Sequence, residues 1–165
     1  MPTERVPPPQ RGSEREILAG TLDYLRTAIV RKAEGLTEAQ ARRAPVPPST
    51  MTPAGLVKHL TGTERFWFSI DFAGLDLEHP WPEDDRHGAW ELAETDTLAA
   101  LIAAYRAECD RSDASVAGYD LGDPARAEGM DFLLRYAYAH MIQETARHAG
   151  HLDLLREVID GTRGQ

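Results

Sequence analysis

The segment Tyr138-Ala139-His140-Met141-Ile142-Gln143-Glu144-Thr145-Ala146-Arg147-His148-Ala149-Gly150-His151 constrains the fold more than any other stretch of this chain. At roughly 100° per residue, His148 lies about 40° to one side of Glu144, with His151 about 20° and His140 about 40° to the other, so the four share one helical stripe. That stripe also carries Leu133, Ala137, Met141 and Leu155, whereas Arg135 and Asp153 point the opposite way. An acid and three imidazoles therefore face an apolar core. Burying them without partners is costly, so a cation, hydrogen bonds or a water-filled cavity must compensate.

The rest of the chain reads as helices able to enclose such a stripe. Ile17, Leu18, Leu22, Leu25, Ile29 and Ala33 recur at helical spacing and predict a first helix over about 14–34, starting at Ser13. Thr37 and Gln40 have capping-box spacing, which predicts a short helical turn before the breaker Pro45-Val46-Pro47-Pro48. Thr52-Pro53 is a start signal: the hydroxyl caps exposed N–H groups, and proline at the first position has no N–H to lose. The second helix is predicted over about 53–72, with Leu56, His59, Thr63, Phe66 and Ile70 on one stripe and Leu60 and Trp67 beside it. His59 thus faces the core.

Residues 73–94, with Gly74, Pro80, Pro82 and Gly88 among many acids, read as a long connection in which Trp81 and Trp90 are packing anchors. Thr95 is expected to cap a third helix over about 96–117, with Leu98, Leu101, Ile102, Tyr105 and Cys109 inward. A loop over 118–129 leads to the longest helix, about 130–160, which Gly161 ends. With no repeat, no sustained strand alternation and no glycine-rich phosphate loop, the fold class is all-α, a four-helix bundle. One domain over 13–165 is expected, preceded by a disordered tail, 1–12, too rich in proline and charge to bury apolar surface.

Composition narrows the function. A net charge of −9 argues against nucleic acid, whose affinity rests on Lys and Arg at phosphates. No apolar run approaches the roughly 20 residues that span a bilayer, and the start MPTERVPPPQ lacks a secretory pattern, so a cytoplasmic location is expected. The single Cys109 cannot form an internal disulfide and reads as a small core residue rather than a nucleophile.

A divalent metal would compensate the inward cluster directly. Glu144 and His148 are one turn apart and can reach a common point, and His59 on a facing helix can supply a third ligand. Sets using His151 or His140 stay open on helical phase alone. Three protein ligands leave a position at which water or a substrate atom can be activated.

The block Val57-Lys58-His59-Leu60, followed by Glu64-Arg65-Phe66-Trp67-Phe68, and the string Glu144-Thr145-Ala146-Arg147-His148-Ala149-Gly150-His151 resemble the DinB-like superfamily of metal-binding four-helix bundles. Within it they resemble the DUF664 branch. The resemblance covers about 13–160 and implies the ligands: one His on helix two and a pair four residues apart on the last helix, which fall on His59, Glu144 and His148. The chain departs from the commonest pattern in having Glu144 where His is usual. A His, Glu, His set is found in the metal-binding domain of mycothiol-dependent maleylpyruvate isomerase, which resembles this superfamily. The match puts His151 on the substrate side, as a catalytic proton acceptor or orienter.

What the resemblance implies is a metal-dependent enzyme, with zinc or nickel favoured. Its reaction would be an S-transferase or isomerase reaction between a low-molecular-weight thiol and a small-molecule electrophile, and its assembly a homodimer. The abundance of Ala, Arg, Gly and Asp, typical of GC-rich genomes, favours mycothiol as the thiol, although no segment reads as a separate thiol-recognition domain. Two alternatives are a metal-dependent hydrolase activating water, and a non-catalytic metal- or small-molecule-binding stress protein.

Overall fold

A computed structural model describes residues 4–82 and 90–164; Gly88 of the predicted connection lies outside them. Helix α1 spans Glu14–Glu34, α2 Glu38–Ala41, α3 Pro53–Glu64, α4 Leu98–Val116 and α5 Leu134–Asp160. A π-helical segment, Arg65–Phe72, continues α3. Among the described residues the nearest thing to sheet is one isolated antiparallel bridge, Pro124 to Leu133. The four long helices form the expected all-α bundle, in which α1 packs along α5 and α3 packs along α4. No helix among the described residues is long and apolar enough to cross a membrane.

Local chemistry sets the helix ends. The Ser13 hydroxyl accepts from the Glu16 N–H while the Glu16 carboxylate accepts from Ser13 N–H, and Thr37 and Gln40 form the same reciprocal box at α2. Thr52 accepts from Gly55 N–H at 3.0 Å, with Pro53 at the first helical position. Gly161, with φ of 78°, ends α5 in the left-handed conformation that a side chain would resist.

Two predicted starts move. Thr97 rather than Thr95 caps α4, its hydroxyl accepting from Ala100 N–H at 3.2 Å. Helix α5 begins at Leu134 rather than near 130, because the chain before it is held by tertiary hydrogen bonds. Ala125 N–H donates to the Phe132 carbonyl, and Arg126 N–H to the Phe72 carbonyl. The first N–H groups of α5 lack a side-chain cap and are satisfied instead by the carbonyls of Asp123 and Leu121. Leu133, expected on the inward stripe, precedes the helix and is exposed.

The π-helical segment changes the phase of the second long helix. Its wider turns carry Phe68 and Phe72 into the core, 1% and 0% exposed, and leave Phe66 and Trp67 half-buried. Two apolar clusters result. One, around Leu56, Leu60, Ile102, Tyr105 and Leu152, joins α1, α3, α4 and α5; the other gathers Leu22, Phe68, Phe72, Leu134, Tyr138 and Met141. Cys109 is buried, and burial pushes its thiol pKa well up, as suits a core residue.

Beside these clusters lies a buried ion pair that sequence reading missed. Arg26 of α1 donates to both carboxylate oxygens of Glu64 at 2.7 and 2.6 Å, and both side chains are essentially inaccessible. The other side of the guanidinium meets Asp23 at 3.0 Å and Asp113 at 2.9 Å. Breaking such a pair strands a charge in the core. Glu64→Ala is expected to lower the free energy of unfolding by about 3–5 kcal/mol in urea titrations, with an Arg26→Met/Glu64→Leu double variant recovering most of the loss.

Candidate metal centre

Helices α3 and α5 carry the candidate residues to one point. Glu144 Oε1 lies 3.2 Å from His59 Nε2 and 3.0 Å from His148 Nε2, so a single carboxylate oxygen faces imidazoles from two helices. The ligand atoms of His59, Glu144 and His148 all fall within 4.8 Å of one another, close enough to hold a metal ion. His148 is 4% exposed, and His59 and Glu144 are half-buried. The second oxygen of Glu144 turns toward the exposed Arg147 at a loose 3.8 Å.

The other two histidines sit elsewhere. His151 places Nδ1 3.2 Å from His148 Nδ1, on the ring edge away from Glu144. His140, one turn before Glu144, packs on Trp67 with centroids 4.0 Å apart and planes tilted by 33°. Of the sets that helical phase left open, the one whose donor atoms converge among the described residues is His59, Glu144 and His148.

Electrostatics suit a cation. Hydrogen bonds from His148 and then His59 hold the Glu144 carboxyl well below the usual carboxylate range. Burial depresses the pKa of His59 despite the neighbouring carboxylate, and burial does the same to His151, with His148 and Arg147 adding to it. An ionised carboxylate beside a neutral imidazole is the protonation state that metal ligation requires. His59 Nδ1 is also buried with no hydrogen-bond partner.

That ring is held by aromatic stacking. Trp90 lies flat on His59, with centroids 3.9 Å apart and planes 11° apart, and turns its edge to His148 at 5.2 Å. Trp81 stacks more distantly on His59, at 6.3 Å, and against Phe66 at 5.3 Å. The anchors expected in the 73–94 connection therefore pack on a candidate ligand, a role that spacing along the chain does not reveal. Two glycines of α3 make room: a Cβ on Gly55 would come within 2.6 Å of the Trp90 carbonyl, and one on Gly62 within 2.8 Å of the Trp81 ring. Lys58, beside His59 in sequence, fixes the chain after Trp90 by donating to the Glu91 carbonyl at 2.7 Å and to Asp96 at 3.0 Å.

Two outcomes follow from this geometry. Gly55→Ala is expected to push Trp90 off His59 and weaken divalent-ion affinity by about tenfold in chelator competition, with helical circular dichroism unchanged. The second concerns pH. Because the His59 pKa is lowered on folding, its contribution to stability is fully present above the unfolded value of about 6.5 and is lost as pH falls below that value toward the folded one. His140 and His151 are also depressed and share the slope. In urea titrations of metal-free protein from pH 8 to 5, His59→Gln is expected to flatten the fall in stability.

A family model described as mycothiol S-transferase matches residues 17–161. No curated protein matches the chain.

Proposed function

This chain belongs to the mycothiol S-transferase family, and on that premise we propose that it transfers the sulfur of a mycothiol-type thiol to a small electrophile at a metal centre formed by His59, Glu144 and His148. The observation that carries the reading is the shared oxygen of Glu144: Oε1 faces two imidazoles, while the exposed Arg147 guanidinium reaches only the other oxygen, at a loose 3.8 Å. A divalent ion bound there would supply Lewis acidity, lowering the pKa of a thiol at an open position.

The remaining work falls to the chain. Glu144 contributes the negative charge that retains a cation, and His59 and His148 contribute Nε2 lone pairs. Of the two roles left open for His151, we assign the orienting one: with an ion on Nε2 of His148, the ring proton would sit on Nδ1, and His151 Nδ1, 3.2 Å away, would accept from it. Trp90 restrains the His59 ring where a hydrogen bond would ordinarily do so. In the transfer, the S–H proton leaves to water and a sulfur lone pair forms the bond to the electrophilic carbon. The leaving group departs with the electron pair of the broken bond.

The test has two steps. Protein purified without an affinity tag is expected to hold close to one zinc or nickel per chain by elemental analysis, and His59→Ala and His148→Ala to lose it; equal metal in all three would sink the site. Metal-verified protein with monochlorobimane is then offered mycothiol, bacillithiol or glutathione. Metal-dependent consumption of mycothiol is expected, and no acceleration with any thiol would move a hydrolase or binding role ahead.

A further inference from the structure

A second feature adjoins the candidate centre and is not used by it. On α5, Tyr136, His140, Glu144 and His148 follow one another at four-residue intervals, each step rising about 6 Å along the axis. The last two belong to the candidate centre and the first two are aromatic. Trp67, from the π-helical segment, lies over this aromatic end. Its ring is 4.0 Å from His140, 6.0 Å from Tyr136 and 5.5 Å from Phe132. Trp67, Phe132 and Tyr136, with Leu18, Leu133 and Ala139, line an open groove of about 800 Å³.

Three properties define what this groove would accept. Its walls are apolar and carry π faces, which favours a flat ring. Tyr136 and Leu133 are 52% and 40% exposed, so these faces are not consumed by the core. Its charged rim, Glu14, Asp131 and Arg135, offers one cation against two acids and gives an anion no net attraction. The groove approaches the centre through one contact: Trp67, which lines it, packs on His140, and His140 stands one helical turn before Glu144.

We infer that this groove binds the flat, uncharged aryl portion of the electrophile and directs its reactive carbon toward the His59, Glu144 and His148 centre. The inference rests on the transfer reading above. Trp67, Phe132 and Tyr136 then select for aryl electrophiles over small aliphatic ones. The π-helical turn contributes by presenting Trp67 to α5, with Phe68 turned into the core.

Two measurements on the metal-loaded full chain separate this inference from the reading beneath it. The first is equilibrium binding of unreactive syn-(methyl,methyl)bimane without thiol, followed by quenching of its fluorescence by the nearby tryptophan. Saturable binding is expected in the parent, and Tyr136→Ala should weaken it about three- to tenfold, the range expected for losing one aromatic contact. Leu154→Ala, on the exposed outer side of α5, is the control and should bind as the parent does. The second is the ratio of kcat/KM for monochlorobimane to that for iodoacetamide with mycothiol. Tyr136→Ala should lower this ratio by the same factor, chiefly through KM for the bimane. No saturable bimane binding in the parent, or a Tyr136→Ala protein with parental affinity and ratio, overturns the groove. A saturable, Tyr136-dependent bimane site in a protein that transfers no thiol sustains the groove and overturns the transfer reading.

Discussion

A carboxylate inside a helical bundle must be answered by something positive or by hydrogen-bond donors, because burial removes the water that would otherwise solvate it. Two of the acids that this chain turns inward, Glu64 and Glu144, are answered differently. Glu64 receives both donors of the Arg26 fork, a guanidinium that stays charged at any accessible pH, and the pair is sealed from solvent. Glu144 receives two imidazoles instead, and burial favours the neutral form of the one from α3. The first arrangement is closed, and ties α1 to the second long helix. The second keeps a negative charge beside two imidazole nitrogens, half-open to solvent, an arrangement that a cation can join by displacing the N–H protons that Glu144 accepts.

The architecture around the second acid follows from that difference. The connection between the π-helical segment and α4 packs back onto the site, setting Trp90 flat on His59 through the space left by Gly55 and bringing Trp81 in beside Gly62. Stacking restrains a ring without using either nitrogen, so Nε2 of His59 stays directed at Glu144. On α5, restraint comes from His151, which meets the far nitrogen of His148. The two candidate histidines are therefore steadied by different physical means, one by an aromatic face and one by a hydrogen bond. The π-helical turn has its own part, since without a change of phase Phe66 rather than Phe68 would face the core.

Family membership and geometry bear on different parts of the function. The match over residues 17–161 places the chain in the mycothiol S-transferase family, and the geometry brings together three side chains, His59, Glu144 and His148, that could hold a metal ion. The aromatic groove lies on the N-terminal side of Glu144 along α5, and the tryptophan-lined wall lies against His59. The candidate centre thus has an apolar groove on one side along α5 and stacked aromatic rings on the other.

Periodicity alone determined much of this protein. The spacing of Leu22, Ile29 and Ala33, of Leu56 and Leu60, and of Ala137, Met141 and Leu155 specified four long helices and their inward faces, because an apolar stripe has one favourable direction in water. The same periodicity turned His59, Glu144, His148, His151 and His140 toward one region, and the family resemblance chose three of them. Arg26 and Glu64 were legible in principle, since each falls beside apolar core positions on its helix, but charge argued for the surface when either residue was read without its partner. Tertiary structure decided what periodicity cannot encode. The start of α5 depends on carbonyls of Leu121 and Asp123 that meet it only after folding, and the π-helical phase shift leaves no mark in hydrophobic spacing. Whether Trp90 lies on His59 depends on a glycine thirty-five positions before it in the chain. Helical phase fixes the direction in which a side chain leaves its own helix; what it meets there is set by the packing of other helices and loops, and that packing joins residues remote in sequence.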